Sequence, residues 1–257
     1  MPYTNSDCSY VKDTIAELLQ NKVDMSKLVI TKALTKDKES YENKEAHVEL
    51  AKRMEKRDPG SAPGLGDRVA YVMIKASSNA KGFERSEDPI YVLENNVPID
   101  TKYYLDNQLA KPLGRIFEPI LGETKAKSLL AGAHTRSISV AAPTVGGLMK
   151  FAKKTMTCMG CKKPLVSKAD SAGAVCSDCA PRVGELYKKT LDKVSDLEVR
   201  FGRLWTQCQR CQGSMHNEVI CSSKDCPIFY MRMKAKKDVE DAGKELKRFD
   251  FDQAAMW

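Results

Sequence analysis

The stretch CQRCQGSMHNEVICSSKDC, residues 208–226, sets four cysteines in nineteen residues at the spacing C-x2-C-x9-C-x4-C. The sequence on either side of it reads as a helix. Upstream, RVGELYKKTLDKVSDLEVRFGRLW (182–205) carries Tyr187, Leu191, Val194, Leu197, Phe201 and Leu204 at steps of three or four, which makes one long apolar seam. Pro181 stands just before it, where a helix start tolerates a missing N–H. Downstream, Ile228, Met231, Ala235, Val239, Ala242, Leu246 and Phe249 repeat the rhythm. Two amphipathic helices joined by a short cysteine-rich loop predict an antiparallel pair with the cluster at its tip.

A second group lies upstream, Cys158-x2-Cys161-x14-Cys176-x2-Cys179. Two C-x-x-C knuckles at this separation predict a tetrahedral structural zinc site, because each tight turn aims two sulfurs at one ion and the loop brings the pairs together. Gly160 suits such a turn. All four positions are cysteine, which leaves no open position for a bound water and argues against a catalytic zinc. The set Cys208, Cys211, Cys221 and Cys226 has one C-x-x-C pair and two separate cysteines. Four thiolates fit zinc or a [4Fe–4S] cluster, and the spacing does not choose between them. His216 within that loop reads as a surface residue, and Cys8 as an isolated thiol.

Eight of the nine cysteines lie between Cys158 and Cys226, so the 257 residues divide into a first region, 1–150, and a metal-organised second region, 151–257. Apolar residues are 42% and charged residues 30%, with no run of eighteen apolar residues, so a membrane span is not expected. The opening MPYTNSDCSYVKDT lacks a secretory pattern and points to a reducing compartment, where cysteines are read as metal ligands before disulfides. The formal charge is +8, and two sites of four thiolates on a divalent ion would lower it to about +4. A mildly basic chain of this kind suits an anionic partner.

In the first region, Val11, Ile15, Leu18 and Leu19 have helical spacing. Residues 42–57 repeat it with Ala46, Leu50, Ala51 and Met54, and Glu49 and Arg53 are four apart. DPGSAPGLGD (58–67) stops that helix. VAYVMIK (69–75) and IYVL (90–93) read as strands. Residues 103–121 are predicted helical, with Leu105, Leu109, Leu113 and Ile116 on one side and a kink or split at Pro112. The fold class is α+β, mostly helical. No phosphate loop and no H-E-x-x-H helix is present, and His47, His134 and His216 make no recognisable pair with a nucleophile. The residues themselves contain no self-contained catalytic constellation.

Several stretches resemble the C-terminal part of the catalytic subunits of eukaryotic DNA polymerase delta, a group of family B replicative polymerases. They are KLVITKALT (27–35), HVELAKRMEKRDPGSAPGLGDRVAYV (47–72), SEDPIYVLE (86–94), PIDTKYYLDNQLAKPLGRIFEPILGE (98–123), VGGLMKFAKK (145–154) and RLWTQCQRCQGSMHNEVICSSKDCPIFYMR (203–232). They run in family order from about residue 10 to 250. The resemblance implies that residues 1–150 are the end of the palm and the thumb, which grips primer–template duplex. The remainder would be the cysteine-rich C-terminal domain. It implies zinc at Cys158, Cys161, Cys176 and Cys179, supporting contact with the sliding clamp. At Cys208, Cys211, Cys221 and Cys226 it implies a [4Fe–4S] cluster that docks the accessory B subunit, and for the whole chain a place in the nucleus.

The family's D-T-D and S-L-Y-P-S motifs, which bind the catalytic metal ions of this nucleotidyltransferase, are absent. The chain alone is therefore expected to be inactive in polymerisation, as a fragment, a truncated gene product or one piece of a split subunit. If the thumb grips duplex through phosphates, Lys52, Arg53, Lys56, Arg57 and Arg68 beside the 58–67 loop are the candidate contacts. The competing expectation is a non-enzymatic zinc-binding assembly module with no direct DNA role, whose basic tail KAKKDVEDAGKELKR (234–248) and knuckles face the clamp.

Overall fold

The computed structural model describes residues 5–77, 79–132, 135, 156–165 and 173–249. The segment 145–154, His134 and the boundary expected at 150 lie outside these residues. The chain divides into two units: Met1–Pro143 with Lys224–Tyr230, and Thr144–Ser223 with Met231–Trp257.

The first unit is built on α1 (Asn5–Leu19), β1 (Ile30–Ala33), α2 (Ala46–Arg57), β2 (Arg68–Met73) and β3 (Ser86–Glu87). The strands form an antiparallel sheet in the order β1-β2-β3, with Ile30 opposite Tyr71, Ala33 opposite Arg68 and Val72 opposite Glu87. β2 is the central strand, and it is buried from Val69 through Met73 rather than on alternate residues, so both its faces are covered. The seam predicted for α1 is in place, since Ile15, Leu18 and Leu19 are buried and join Leu34, Val48, Leu50, Ala51, Val69 and Tyr71 in one core. Leu50 is fully buried, and each such leucine contributes about 1.5–3 kcal/mol. The 58–67 loop returns on β1 through Leu34 N–H to Asp67 O at 2.9 Å and Gly66 N–H to Leu34 O at 2.8 Å, which sets Arg68 beside it.

The expected strand at IYVL is instead a helix, α3 (Pro89–Asn95). Asp88 caps it, its Oδ2 accepting the Tyr91 N–H at 3.1 Å, and Pro89 occupies the first helical position, where its fixed φ is an advantage. Those start signals outweigh the strand preference of three side chains, which reflects packing context more than the backbone itself.

The predicted helix over 103–121 is a continuous helical run in three parts: α4 (Thr101–Tyr103), a π-helix (Tyr104–Ala110) and α5 (Lys111–Leu121). Pro112 falls in the first turn of α5, directly after the widened π segment, which absorbs the missing donor and the ring in place of a sharp kink. A widened turn also rotates everything after it. Leu105 is therefore buried as expected, but Ile116 is 50% exposed and Phe117 is buried in its place. α6 (Glu123–Leu130) follows, with Ala126 and Leu129 packed on Phe117. The Tyr104 hydroxyl accepts the Met73 N–H at 2.9 Å and ties this run to β2.

In the second unit α7 (Val183–Gln212) extends past the predicted end, and α8 (Pro227–Lys247) matches the downstream pattern, its residues 227–230 counting with the first unit. The two helices run antiparallel. The Tyr187 ring meets Phe249 edge-on at 5.7 Å, and Lys193 pairs with Glu245 at 2.9 Å. Val194, Ala235, Ala242 and Phe249 are buried, while Leu191 is exposed, so the seam is covered only in part. α7 ends at Gly213, whose φ of 78° lets its N–H turn back to Arg210 O at 3.2 Å. No helix among the described residues is long and apolar enough to cross a membrane.

Candidate functional site

The first cysteine set is assembled by its own backbone. Cys158 N–H donates to Lys163 O at 2.9 Å and Lys162 N–H to Cys158 O at 3.0 Å, which closes the first knuckle with Lys162 at φ 63°. In the second, Cys179 N–H donates to Cys176 O at 3.0 Å, opening the short 3-10 turn Ser177–Arg182. Met159 N–H to Ala174 O at 2.8 Å joins the two. The four sulfurs all lie within 4.8 Å of one another, with Cys161 and Cys176 Sγ 3.6 Å apart. A Cβ on Gly160 would stand 2.9 Å from Cys179 Sγ and 3.0 Å from Leu186 Cδ1, so the close approach of the knuckles requires glycine there.

The electrostatics of the four thiols are uneven. Burial alone pushes the Cys158 thiol up, but N–H groups of Cys176, Cys161 and Gly160 aimed at its sulfur outweigh that and bring it down to about 6. Burial first, then the neighbouring thiols, push Cys179 up to about 12. Four sulfurs this close resist ionising together, and a divalent cation in their midst removes the conflict. The donor set, its tetrahedral number and its N–H···S support fit a structural zinc. Zinc bound there would cross-link the two knuckles and leave no vacant position for chemistry.

No other group of ligand atoms among the described residues converges in this way. Cys208 and Cys211 sit one turn apart at the end of α7, part-exposed and exposed, and Cys221 is exposed in the loop that follows. Gln209 and Gln212 donate from α7 to Asn217 O at 3.1 Å and Glu218 O at 3.0 Å, folding that loop back on the helix. Cys226 precedes Pro227 at the start of α8, and it falls in the first unit while the other three fall in the second. Arg232, which carries no ligand spacing, is buried, and its Nη2 donates to Cys221 O at 2.8 Å. Its only sequence signal is an arginine one and a half turns beyond the last cysteine.

The five basic candidates are placed very differently. Arg53 is part-buried and donates to Phe83 O at 3.3 Å, to Ser86 O, and to Ser86 Oγ at 3.2 Å. Its expected partner Glu49 is not among these acceptors. Arg57 pairs with Glu87 at 2.7 Å and lies over the Tyr91 ring, 4.2 Å from its centre. Lys52 pairs with Glu39 at 3.3 Å and Arg68 with Asp225 at 3.4 Å, both at exposed carboxylates. Lys56 is exposed and makes no ion pair among the described residues.

Two family profiles match the chain: DNA polymerase family B over residues 4–120, and the C4-type zinc-finger of DNA polymerase delta over residues 158–232. The chain is similar to the DNA polymerase delta catalytic subunit of Schizosaccharomyces pombe, with 64% identity over 241 residues, 94% of this chain and 22% of that protein. The subunits of the same name from Oryza sativa and Bos taurus are 59% and 57% identical, again over 94% of this chain and 22% of theirs. The chain thus spans about a fifth of the length of these relatives.

Proposed function

We propose that this chain, which belongs to the family of DNA polymerase delta catalytic subunits, supplies duplex grip and subunit assembly to a replicative polymerase in the nucleus. Residues 1–150 are the end of the palm and the thumb. Lys56, Lys52 and Arg68 meet phosphates of the primer–template duplex, while Arg53 and Arg57 hold the α2 face that presents the two lysines. Exposed ion pairs contribute only about 0–1 kcal/mol, so Lys52 and Arg68 exchange a carboxylate for a phosphate at little loss. Residues 151–257 are the cysteine-rich C-terminal domain. Cys158, Cys161, Cys176 and Cys179 hold zinc and support the sliding clamp. Cys208, Cys211, Cys221 and Cys226 hold a [4Fe–4S] cluster beside the docking surface for the accessory B subunit. The cluster would fix the α7–α8 loop, and as a one-electron group its potential would depend on its surroundings.

The observation that supports this reading most is the convergence of the four sulfurs within 4.8 Å, inside a segment that matches the delta-type zinc-finger profile. Metal and sulfide analysis with a visible spectrum, on protein purified without oxygen, tests it. The expected result is one zinc with a brown charge-transfer band that Cys221→Ser abolishes. Two zincs and no colour would replace the iron–sulfur assignment with a plain zinc module.

A second reading, an assembly module without a DNA role, is favoured by the fact that four of the five basic candidates have partners within the fold. Duplex binding that is flat in salt, together with intact co-purification of the accessory subunit, would select it.

A further inference from the structure

The C-terminal end of α8 does more than finish a helix. Arg248 N–H donates to Glu245 O at 3.2 Å and Phe249 N–H to Leu246 O at 3.1 Å, so the chain tightens by one turn as it leaves Lys247. That turn delivers the Arg248 guanidinium to the first knuckle. Its Nη2 donates to Thr157 O at 2.7 Å and its Nη1 to Met159 Sδ at 3.2 Å. Thr157 immediately precedes Cys158, and Met159 lies between Cys158 and Cys161. Phe249, the next residue, is buried edge-on against Tyr187 in the second turn of α7, the helix that follows Cys179. Two consecutive side chains thus hold the knuckle mouth and the start of the helix that leaves it.

We propose that Arg248 is a positioning residue for the zinc site, a clasp that makes zinc retention and closure of the α7–α8 pair one event. The inference rests on the zinc reading of Cys158, Cys161, Cys176 and Cys179. Three physical effects support it. A cation on the Thr157 carbonyl polarises the Thr157–Cys158 peptide, whose N–H closes the knuckle on Lys163 O at 2.9 Å, and hydrogen bonds in series strengthen one another. Thr157 also pairs with Pro164 across the mouth of the knuckle, so fixing Thr157 fixes both strands of the turn. Four thiolates on a divalent ion carry a net charge of about −2, and a guanidinium beside that loop offsets part of it. Arginine suits the place because its planar fork reaches the carbonyl and the thioether together, which a single ammonium does not.

The test uses the full chain as wild type, Arg248→Gln and Arg248→Lys, each loaded with zinc. Zinc release into a competing colorimetric chelator is timed, and amide hydrogen exchange is followed over 183–194 and 242–249. Outer partners of metal ligands typically change affinity by about 10–100-fold, so R248Q should release zinc at least ~10-fold faster, with faster exchange in both helical segments and R248K in between. Should R248Q fail to fold, R248K decides, with release ~3-fold faster than wild type supporting the clasp and equal release overturning it. Faster exchange with unchanged zinc release would mean a helix-end contact only, and would overturn the proposal. Wild type that holds no zinc removes the zinc reading and the clasp with it. Zinc in wild type with identical release from both variants overturns the clasp alone.

Discussion

Arg53→Ala separates fold from function on α2. The guanidinium lies against the 83–87 segment, donating to Phe83 O, Ser86 O and Ser86 Oγ, and Ser86 is fully buried. The Ser86 hydroxyl is 2.9 Å from Phe83 O and can still donate there after truncation, so the net loss is one buried carbonyl, Ser86 O, left without a donor. Such a group costs about 1–3 kcal/mol. The part-buried arginine stem adds about 1 kcal/mol. A loss of roughly 3 kcal/mol follows, which for a domain of this size is a fall of about 6–12 °C in Tm. Thermal unfolding followed by far-ultraviolet circular dichroism, with duplex binding measured below the transition across a salt series, provides both readouts. The expected outcome is a large loss of stability with the salt slope of duplex binding intact. Wild-type unfolding combined with a slope reduced by about one would refute the reasoning, because it would make Arg53 a phosphate contact.

The other three cations should behave in the opposite way. Lys52→Ala, Lys56→Ala and Arg68→Ala together should leave Tm almost unchanged and flatten log Kd against log salt by up to about 2.7, and an unaltered slope would exclude this face from the duplex contact. His47 is buried against Tyr41, and burial, with Glu45 opposing and Lys32 assisting, holds its imidazole below the ordinary value near 6.5. The folded state therefore takes up this proton later than the unfolded chain, so its stability contribution is complete above about pH 6.5 and declines as pH falls below it. His47→Gln should flatten that part of the stability profile between pH 7 and 5, and an identical profile would exclude His47 as its source. Gly160→Ala places a Cβ 2.9 Å from Cys179 Sγ and should weaken zinc retention by about tenfold in a chelator competition, with equal retention showing that the knuckles yield freely.

What the sequence discloses follows from the range of the interactions involved. Ligand spacing is covalent and local, so Cys158, Cys161, Cys176 and Cys179 could be grouped before any coordinates, and they converge. The seams of α1, α7 and α8 were legible because one helix face meets one apolar environment. IYVL was not, because Ile, Tyr and Val favour a strand on average while Asp88 and Pro89 decide the local start. The signal for α3 is SEDP itself, with Asp88 as cap and Pro89 in the first turn. Ile116 and Phe117 changed places because a π turn between Tyr104 and Ala110 rotates the later face, and no periodicity announces it.

The basic residues of α2 show where counting charges stops being informative. At about 100° per residue, the buried stripe of His47, Val48, Leu50, Ala51 and Met54 lies almost opposite Lys56, with Lys52 and Arg53 at similar angles on its two sides and Arg57 nearer the stripe. The wheel alone therefore ranks Lys56 as the outermost cation. It does not distinguish Lys52 from Arg53, which are equivalent in isolation. The distinction comes from residues some thirty positions away. Ser86 and Glu87 of β3 engage Arg53 and Arg57, whereas the partner of part-exposed Lys52 is Glu39, which is itself exposed. Whether a cation on this helix is tied into the fold is thus decided by which side a distant strand occupies, and substituting Lys52 and Arg53 separately distinguishes the two roles proposed for them.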